Sequence, residues 1–89
     1  MNRRLVLTVT AEDIRFGEPG NHEYCPIAIA ASRRFPDGWV DVGDAYMIVS
    51  SQEWVPTKRT TQFIERFDEG SAVQPGRYVF YLSDDTRSP

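Results

Sequence analysis

The sequence predicts a small α+β domain, in which about four strands form an antiparallel or mixed sheet and two main helices pack on one face of it. Apolar residues alternate with a period of two near the start and the end of the chain, which is typical of half-buried strands. Between these stretches the apolar residues recur at helical spacing. The order that results is β-α-α-β-β-α-β, with helices inserted between strands.

The chain has 89 residues, too few for two independent cores, so we expect one domain over residues 1–89 with residues 84–89 as a frayed tail. The net charge of −3 argues against binding duplex nucleic acid, because that requires a basic surface. A single cysteine excludes an intramolecular disulfide. No apolar run approaches the roughly 18 residues of a membrane span, so we expect no membrane contact and a cytoplasmic location, in the protein's own cell or in a host.

The first predicted strand covers residues 5–10 and is followed by a short helical turn. Thr10 is suited to be the N-cap of that turn, because its hydroxyl can accept a backbone N–H and acidic residues follow it. Ile14 and Phe16 are expected to face the core, and Gly17 ends the turn. The strand alternation places three apolar residues on its buried face: Leu5, Leu7 and Val9.

The most apolar run of the chain, residues 25–31, predicts a central helix on which the sheet folds. Pro26 places the start of this helix at about Tyr24 or Cys25, since proline is tolerated only in the first turn. The near absence of polar residues predicts burial on most sides. Arg33 and Arg34 fall in the last turn, where the helix dipole favours cations.

Two strand-like runs, residues 39–42 and 45–49, predict a hairpin with Gly43-Asp44 as its two-residue loop and glycine supplying a positive φ. Residues 54–55 are expected to return only briefly as an extended segment.

A second main helix begins after its predicted N-cap, Thr57, and ends before Gly70. Residues 77–82 form the last predicted strand. The helical spacing places four residues on the buried face of the second helix: Thr60, Phe63, Ile64 and Phe67.

Cys25 lies at a helix start three residues after His22, a position that can lower a thiol pKa. A small buried residue is the simpler interpretation and the one we favour, because no third group is present to orient a catalytic pair. The spacing of the carboxylates matches no metal site or hydrolase pair, and no glycine-rich phosphate loop occurs. We therefore predict no enzymatic activity, no metal and no cofactor.

The charges on the second helix oppose its dipole at both ends. Lys58 and Arg59 lie at its N-terminus, and Asp68 and Glu69 at its C-terminus. The cations can form an anion site that Arg33, Arg34, Arg3 or Arg4 could join, or the acidic end can dock on a basic partner. The alternative to both interpretations is that these charged side chains are solvated, pair with neighbouring charges of the chain and bind no partner.

Five large aromatic residues lie in or beside the predicted strands. On an exposed face they favour a protein interface or a platform for stacked bases, and on a buried face they are cross-strand packing. These residues are Trp39, Tyr46, Trp54, Tyr78 and Tyr81.

Several segments together carry a resemblance to a known group of proteins. They are LTVTAEDI at 7–14, Gly20, CPIAIA at 25–30, VDVGDAY at 40–46, FDEG at 67–70 and a Pro-x-x-x-Val-Phe ending at 75–80. In this the chain resembles a group of small uncharacterised proteins carried by bacteriophages, prophages and some bacterial genomes. The resemblance supplies no catalytic residue, but it implies a phage setting, in which small proteins that block host immunity by binding are expected.

Together these observations lead to the hypothesis of a non-enzymatic, anti-CRISPR-like inhibitor that binds a host defence effector and blocks its nucleic-acid-binding surface. The expected contact residues are Asp41, Asp44, Trp54, Asp68 and Glu69. The alternative is a sponge, a homodimer or larger oligomer that sequesters a nucleotide immune signal. Its expected anion-binding residues are Arg33, Arg34, Lys58 and Arg59.

Overall fold

A computed structural model describes residues 3–83, so the tail predicted at 84–89 lies outside the described residues. Within this range no helix is both long enough and apolar enough to cross a membrane. The elements in chain order are β1 (Arg4–Val9), α1 (Ala11–Phe16), α2 (Pro26–Arg34), β2 (Val40–Val42), β3 (Met47–Val49), β4 (Gln52–Pro56), α3 (Lys58–Asp68) and β5 (Gly76–Leu82).

The strands form one five-stranded sheet in the order β1-β5-β4-β3-β2, and every neighbouring pair is antiparallel. The α+β class is therefore confirmed, whereas the prediction of about four strands is wrong. The missed strand is β4, which pairs with both β3 and β5 in the centre of the sheet. Only Trp54 is buried in this strand, and Pro56 ends it, so its alternation is too short to stand out in the sequence.

The turn between β3 and β4 is made by two serines in the left-handed region, Ser50 with φ 47° and Ser51 with φ 76°. Such conformations normally select glycine or asparagine, so the tight connection leaves no strong signal in the sequence.

The β2–β3 hairpin is confirmed, with Val42 opposite Met47, but its strands are shorter than predicted. The loop spans residues 43–46, and the N–H of Gly43 donates to the carbonyl of Tyr46 at 2.9 Å. Gly43 does not adopt the positive φ that was predicted for it.

All three helices lie on one face of the sheet, the inner face. Helix α2 packs against β1 and against β2, the two edge strands, so the sheet curls around it. Ile27, Ala28 and Ala31 are fully buried, which confirms the predicted central helix. The small alanine side chains allow the strands to approach α2 closely.

The predicted helix caps are confirmed. Thr10 forms a capping box with Asp13, Cys25 is the N-cap of α2, and Thr57 is the N-cap of α3. Gly70, with φ 83°, follows α3 and donates its N–H to the carbonyl of Phe67 at 3.0 Å, as in a Schellman motif.

One predicted core residue is misplaced. Ile14 packs against the core as expected, but Phe16 is 65% exposed. The helical turn of α1 ends at Phe16, beside Gly17, which closely approaches the ring of Pro26. The ring of Phe16 is therefore left on the surface, 5.5 Å from the guanidinium carbon of Arg15.

Candidate functional site

The loop that precedes α2 joins two parts of the molecule that are far apart in the chain. The N–H of Gly20 donates to Asp68 Oδ1 at the end of α3, at 2.8 Å. On its other side the carbonyl of His22 accepts the N–H of Val42 in β2 at 2.8 Å, and His22 Nδ1 lies 3.2 Å from Asp41 Oδ1. The C-terminus of α3, this loop and strand β2 are therefore neighbours.

The tip of the β2–β3 hairpin completes the same surface. Thr61 Oγ1, on α3, donates to the carbonyl of Asp44 at 3.3 Å, which holds the tip against the helix. Seven of the chain's 13 acidic residues lie in the three segments that meet here, and we call them the acidic surface. They are Glu18, Glu23, Asp41, Asp44, Glu65, Asp68 and Glu69.

Four of the five residues predicted to contact a protein partner lie in these segments, two on the β2–β3 hairpin and two at the C-terminal end of α3. They are Asp41, Asp44, Asp68 and Glu69. Two exposed tyrosines belong to the same segments: Tyr24 is 59% exposed and Tyr46 is 48% exposed. Tyr24 was not predicted as a site residue, because its place before an N-cap indicated only the start of a helix.

Trp54, the fifth predicted contact residue, is not part of the acidic surface. It lies on the inner face of β4 and is only 9% exposed, because the register points its side chain toward α2 and the core. Its Nε1 is buried without a hydrogen-bond partner among residues 3–83. The ring lines a cleft of about 370 Å³ together with Arg34 and Phe35.

Arg33, predicted for an anion site, is engaged within the fold. Its guanidinium donates to both carboxylate oxygens of Asp13, at 2.9 and 2.8 Å, and to the carbonyl of Thr8 at 3.1 Å. Asp13 is 4% exposed, and burial alone would raise its pKa. The hydrogen bonds and charge of Arg33, with the N–H of Thr10, outweigh burial and hold the pKa of Asp13 below its usual value.

Arg59 is also engaged. Its guanidinium stacks on the ring of Tyr78, 4.4 Å from the centroid, and donates to the carbonyl of Arg77. Arg77 and Thr8 are cross-strand partners, so Arg33 and Arg59 close the same end of the β1–β5 pair. Both guanidinium groups, which the sequence offered for an anion site, make contacts within the fold.

A second cleft lies beside Arg59, between α3 and the chain that leads into β5. It has a volume of about 240 Å³, and Tyr78 and Phe63 form part of its wall. Gln62 and Arg66 project into the same cleft from α3. The sequence interpretation missed both, although positions 59, 62 and 66 have the spacing of one helix face.

The other two predicted cations make looser contacts. Arg34 lies over the ring of Phe35, 5.2 Å from its centroid, and Lys58 is exposed at the first position of α3. Neither lies in the cleft beside Arg59.

The structure gives Cys25 a structural role. Its Sγ accepts the N–H of Ala28 at 3.4 Å, and burial raises the pKa of the thiol, opposite to what a reactive thiolate needs. His22 points to Asp41 instead. In the described part of the chain no group of three or more histidine, cysteine or acidic side chains is placed to hold a metal ion.

Comparison with known proteins assigns no family. No family model, curated protein or solved structure matches this chain. The acidic surface and the clefts are therefore the features from which a function is inferred.

Proposed function

We propose that this chain is a non-enzymatic, phage-encoded inhibitor of bacterial immunity. It binds a defence effector complex, in the manner of an anti-CRISPR protein, and blocks the surface on which the effector binds nucleic acid. The observation that carries the proposal is the acidic surface, where carboxylates from three separate segments meet. The phage setting is supported by the resemblance of the sequence, and the mode of binding by the geometry.

Electrostatics supports this mode of binding. A surface that binds nucleic acid is rich in Lys and Arg, and clustered carboxylates complement it and accelerate association. The chain as a whole has a net charge of only −3. Because this charge is small and seven of the 13 acidic residues lie in the segments of the acidic surface, we infer that the chain covers one basic patch of a protein and does not imitate a whole DNA duplex.

The exposed tyrosines support a protein partner. Tyr24 and Tyr46 are 59% and 48% exposed and belong to the same segments as the carboxylates. Tyrosine is enriched among the residues that dominate binding energy at interfaces, since a rigid ring with a polar tip loses little entropy on burial. In the proposed complex these rings make the apolar contacts, and the carboxylates set orientation and rate.

The test is a plaque assay on bacteria that carry an active CRISPR system, with the chain expressed from a plasmid. We expect the wild type to raise the plating efficiency of a targeted phage at least tenfold over the empty vector. The double variant D44K/E69K should lose most of this effect, because it reverses two carboxylates of the acidic surface. No hydrogen bond or ion pair involves either side chain within residues 3–83, so the fold should survive.

The matched control is E12K/D37K, which changes the net charge equally but lies outside the acidic surface. It should protect the phage as well as the wild type does. Inhibition that persists in D44K/E69K would exclude the acidic surface as the docking site. A wild-type chain without effect on any class of effector would overturn the inhibitor proposal itself.

The sponge for a nucleotide signal is the second candidate, favoured by the cleft beside Arg59. That cleft is lined by two guanidinium groups, those of Arg59 and Arg66, and by the polar side chain of Gln62, a set that suits a phosphate group. Thermal unfolding with millimolar AMP or a cyclic dinucleotide tests it. A rise in Tm that the variant R66A abolishes would support the sponge, and an unchanged Tm would reject it.

A further inference from the structure

The outer face of the sheet is uncovered in the described part of the chain. The three helices lie on the inner face, where Phe63 of α3 packs on Tyr78 with ring centroids 4.5 Å apart. The side chains that alternate with the inner ones point the opposite way and are half-buried or exposed. Five of them are apolar: Val6, Ile48, Val55, Val79 and Tyr81.

The strand register arranges these five residues as a continuous stripe. Val6 pairs with Val79, and Val55 pairs with Tyr81, which follows Val79 by two residues on the same side of β5. Ile48 pairs with Glu53, which precedes Val55 by two residues on β4. With strands about 4.8 Å apart and a rise of about 3.3 Å per residue, the stripe crosses the sheet diagonally over roughly 20 Å.

The two ends of the stripe carry opposite charge. Ile48, at one end, has an acidic residue on each side of it in the ladder, Asp41 on β2 and Glu53 on β4. Toward the other end Arg4 pairs with Tyr81, and Arg77 precedes Val79 by two residues. Two copies of the outer face are therefore complementary in charge when their stripes run in opposite directions.

We propose that the outer face binds a second copy of this chain, with a two-fold axis in the interface and perpendicular to the stripe. This rotation lays the acidic end of each stripe on the basic end of the other, and it places Arg4 of one copy opposite Glu53 of the second copy. The symmetry makes this contact twice. The strands of the two sheets then cross at about 90°, one of the two angles at which sheets pack.

The size of the face predicts a weak dimer. Stable interfaces bury about 800 Å² on each partner, and a stripe of roughly 20 Å on a curled sheet offers less. We therefore expect a dissociation constant of roughly 1–100 μM, so that the dimer forms and separates with concentration. The acidic surface remains accessible in this dimer except for Asp41, which lies where the acidic surface meets the outer face of the sheet.

Sedimentation velocity of the purified chain from about 0.1 μM to 1 mM tests the proposal. The wild type should shift from monomer to dimer across this range. R4E and E53R should each raise the dissociation constant at least tenfold, because each variant opposes like charges twice.

The decisive experiment combines the two substitutions, either by mixing the two variants or by placing both substitutions in one chain. An equal mixture of R4E and E53R should form a heterodimer, since both of its contacts then join opposite charges. The double variant R4E/E53R should dimerise like the wild type for the same reason. These rescues separate a lost interface from a damaged fold, which circular dichroism checks independently.

The control E69R alters the acidic surface and leaves the outer face intact, so its dimerisation should be unchanged. A wild type that stays monomeric at 1 mM would overturn the proposal. A dimer unaffected by both R4E and E53R would also overturn it, because such a dimer uses another surface, such as the free edge of β1. Neither result bears on the inhibitor, whose test depends on Asp44 and Glu69.

Discussion

The two ends of the α2–α3 pair use charge in opposite ways. Where α2 ends, Arg33 is bound to the buried carboxylate of Asp13 and to the carbonyl of Thr8, so the charges are neutralised inside the fold. On the acidic surface, the exposed side chains of Asp44 and Glu69 form no hydrogen bond or ion pair within residues 3–83. Charges of the first kind hold elements together, whereas charges of the second kind are available to a partner.

The contrast has an energetic consequence. An ion pair with one buried member is costly to break, because the remaining buried charge has lost its compensation. An exposed charge is solvated in water whatever its neighbours are, and removing it changes stability little. Substitutions at the first end should therefore destabilise the fold, and those at the acidic surface should weaken binding with little effect on stability.

The largest effect is expected for Arg33→Met, which keeps the length of the side chain but leaves Asp13 buried and unpaired. We expect the free energy of unfolding to fall by about 2–3 kcal/mol, below the range of fully buried pairs because Arg33 is itself 52% exposed. Urea unfolding followed by circular dichroism measures it.

Arg34→Met is the matched control, one residue further along the same helix. Arg34 contacts only the ring of Phe35 among the interactions described, so we expect a loss of no more than about 0.5 kcal/mol. Equal losses in the two variants would show that Asp13 does not depend on its partner and would remove the contrast between the two ends.

A smaller, pH-dependent effect is expected for Asp13→Asn. The loss of the ion pair should cost about 1–2 kcal/mol at neutral pH, since hydrogen bonds to charged groups exceed neutral ones. Because the pKa of Asp13 is lower in the folded state than its ordinary 3.8, the stabilisation is complete above that value and is lost as the pH falls through the folded pKa.

The measurement is the unfolding free energy of wild type and Asp13→Asn between pH 2 and pH 7. The difference between them should be constant in the upper part of this range and should narrow below pH 3.8. A difference that is the same at every pH would mean that the asparagine disturbs packing and that the charge of Asp13 contributes nothing.

The two ends also differ in how far the sequence predicts them. The features that depend on neighbouring residues were predicted correctly. They are Thr10 as an N-cap, the two arginines at the end of α2, and the four-residue buried face of α3. Capping and amphipathic spacing are short-range effects, so a few consecutive residues are enough to reveal them.

The contacts between distant residues were not predictable in the same way. Asp13 and Arg33 are 20 residues apart, and Gly20 and Asp68 are 48 apart, so only the packed fold brings each pair together. Trp54 was expected at the surface because the sequence did not establish that β4 is a full central strand, and the pairing of a strand determines which of its sides faces the core.

The smallest effect is expected for Glu69→Lys, and its sign separates function from folding. Glu69 is the C-cap of α3, where a negative charge opposes the helix dipole and a positive one favours it. Lysine should therefore stabilise the fold by about 0.3–0.5 kcal/mol in urea unfolding, while it weakens inhibition in the plaque assay. A protein that is more stable and less active would indicate that Glu69 is retained for binding. If Glu69→Lys instead destabilises the fold, the acidic end of α3 contributes to folding, and the distinction between the two ends does not hold there.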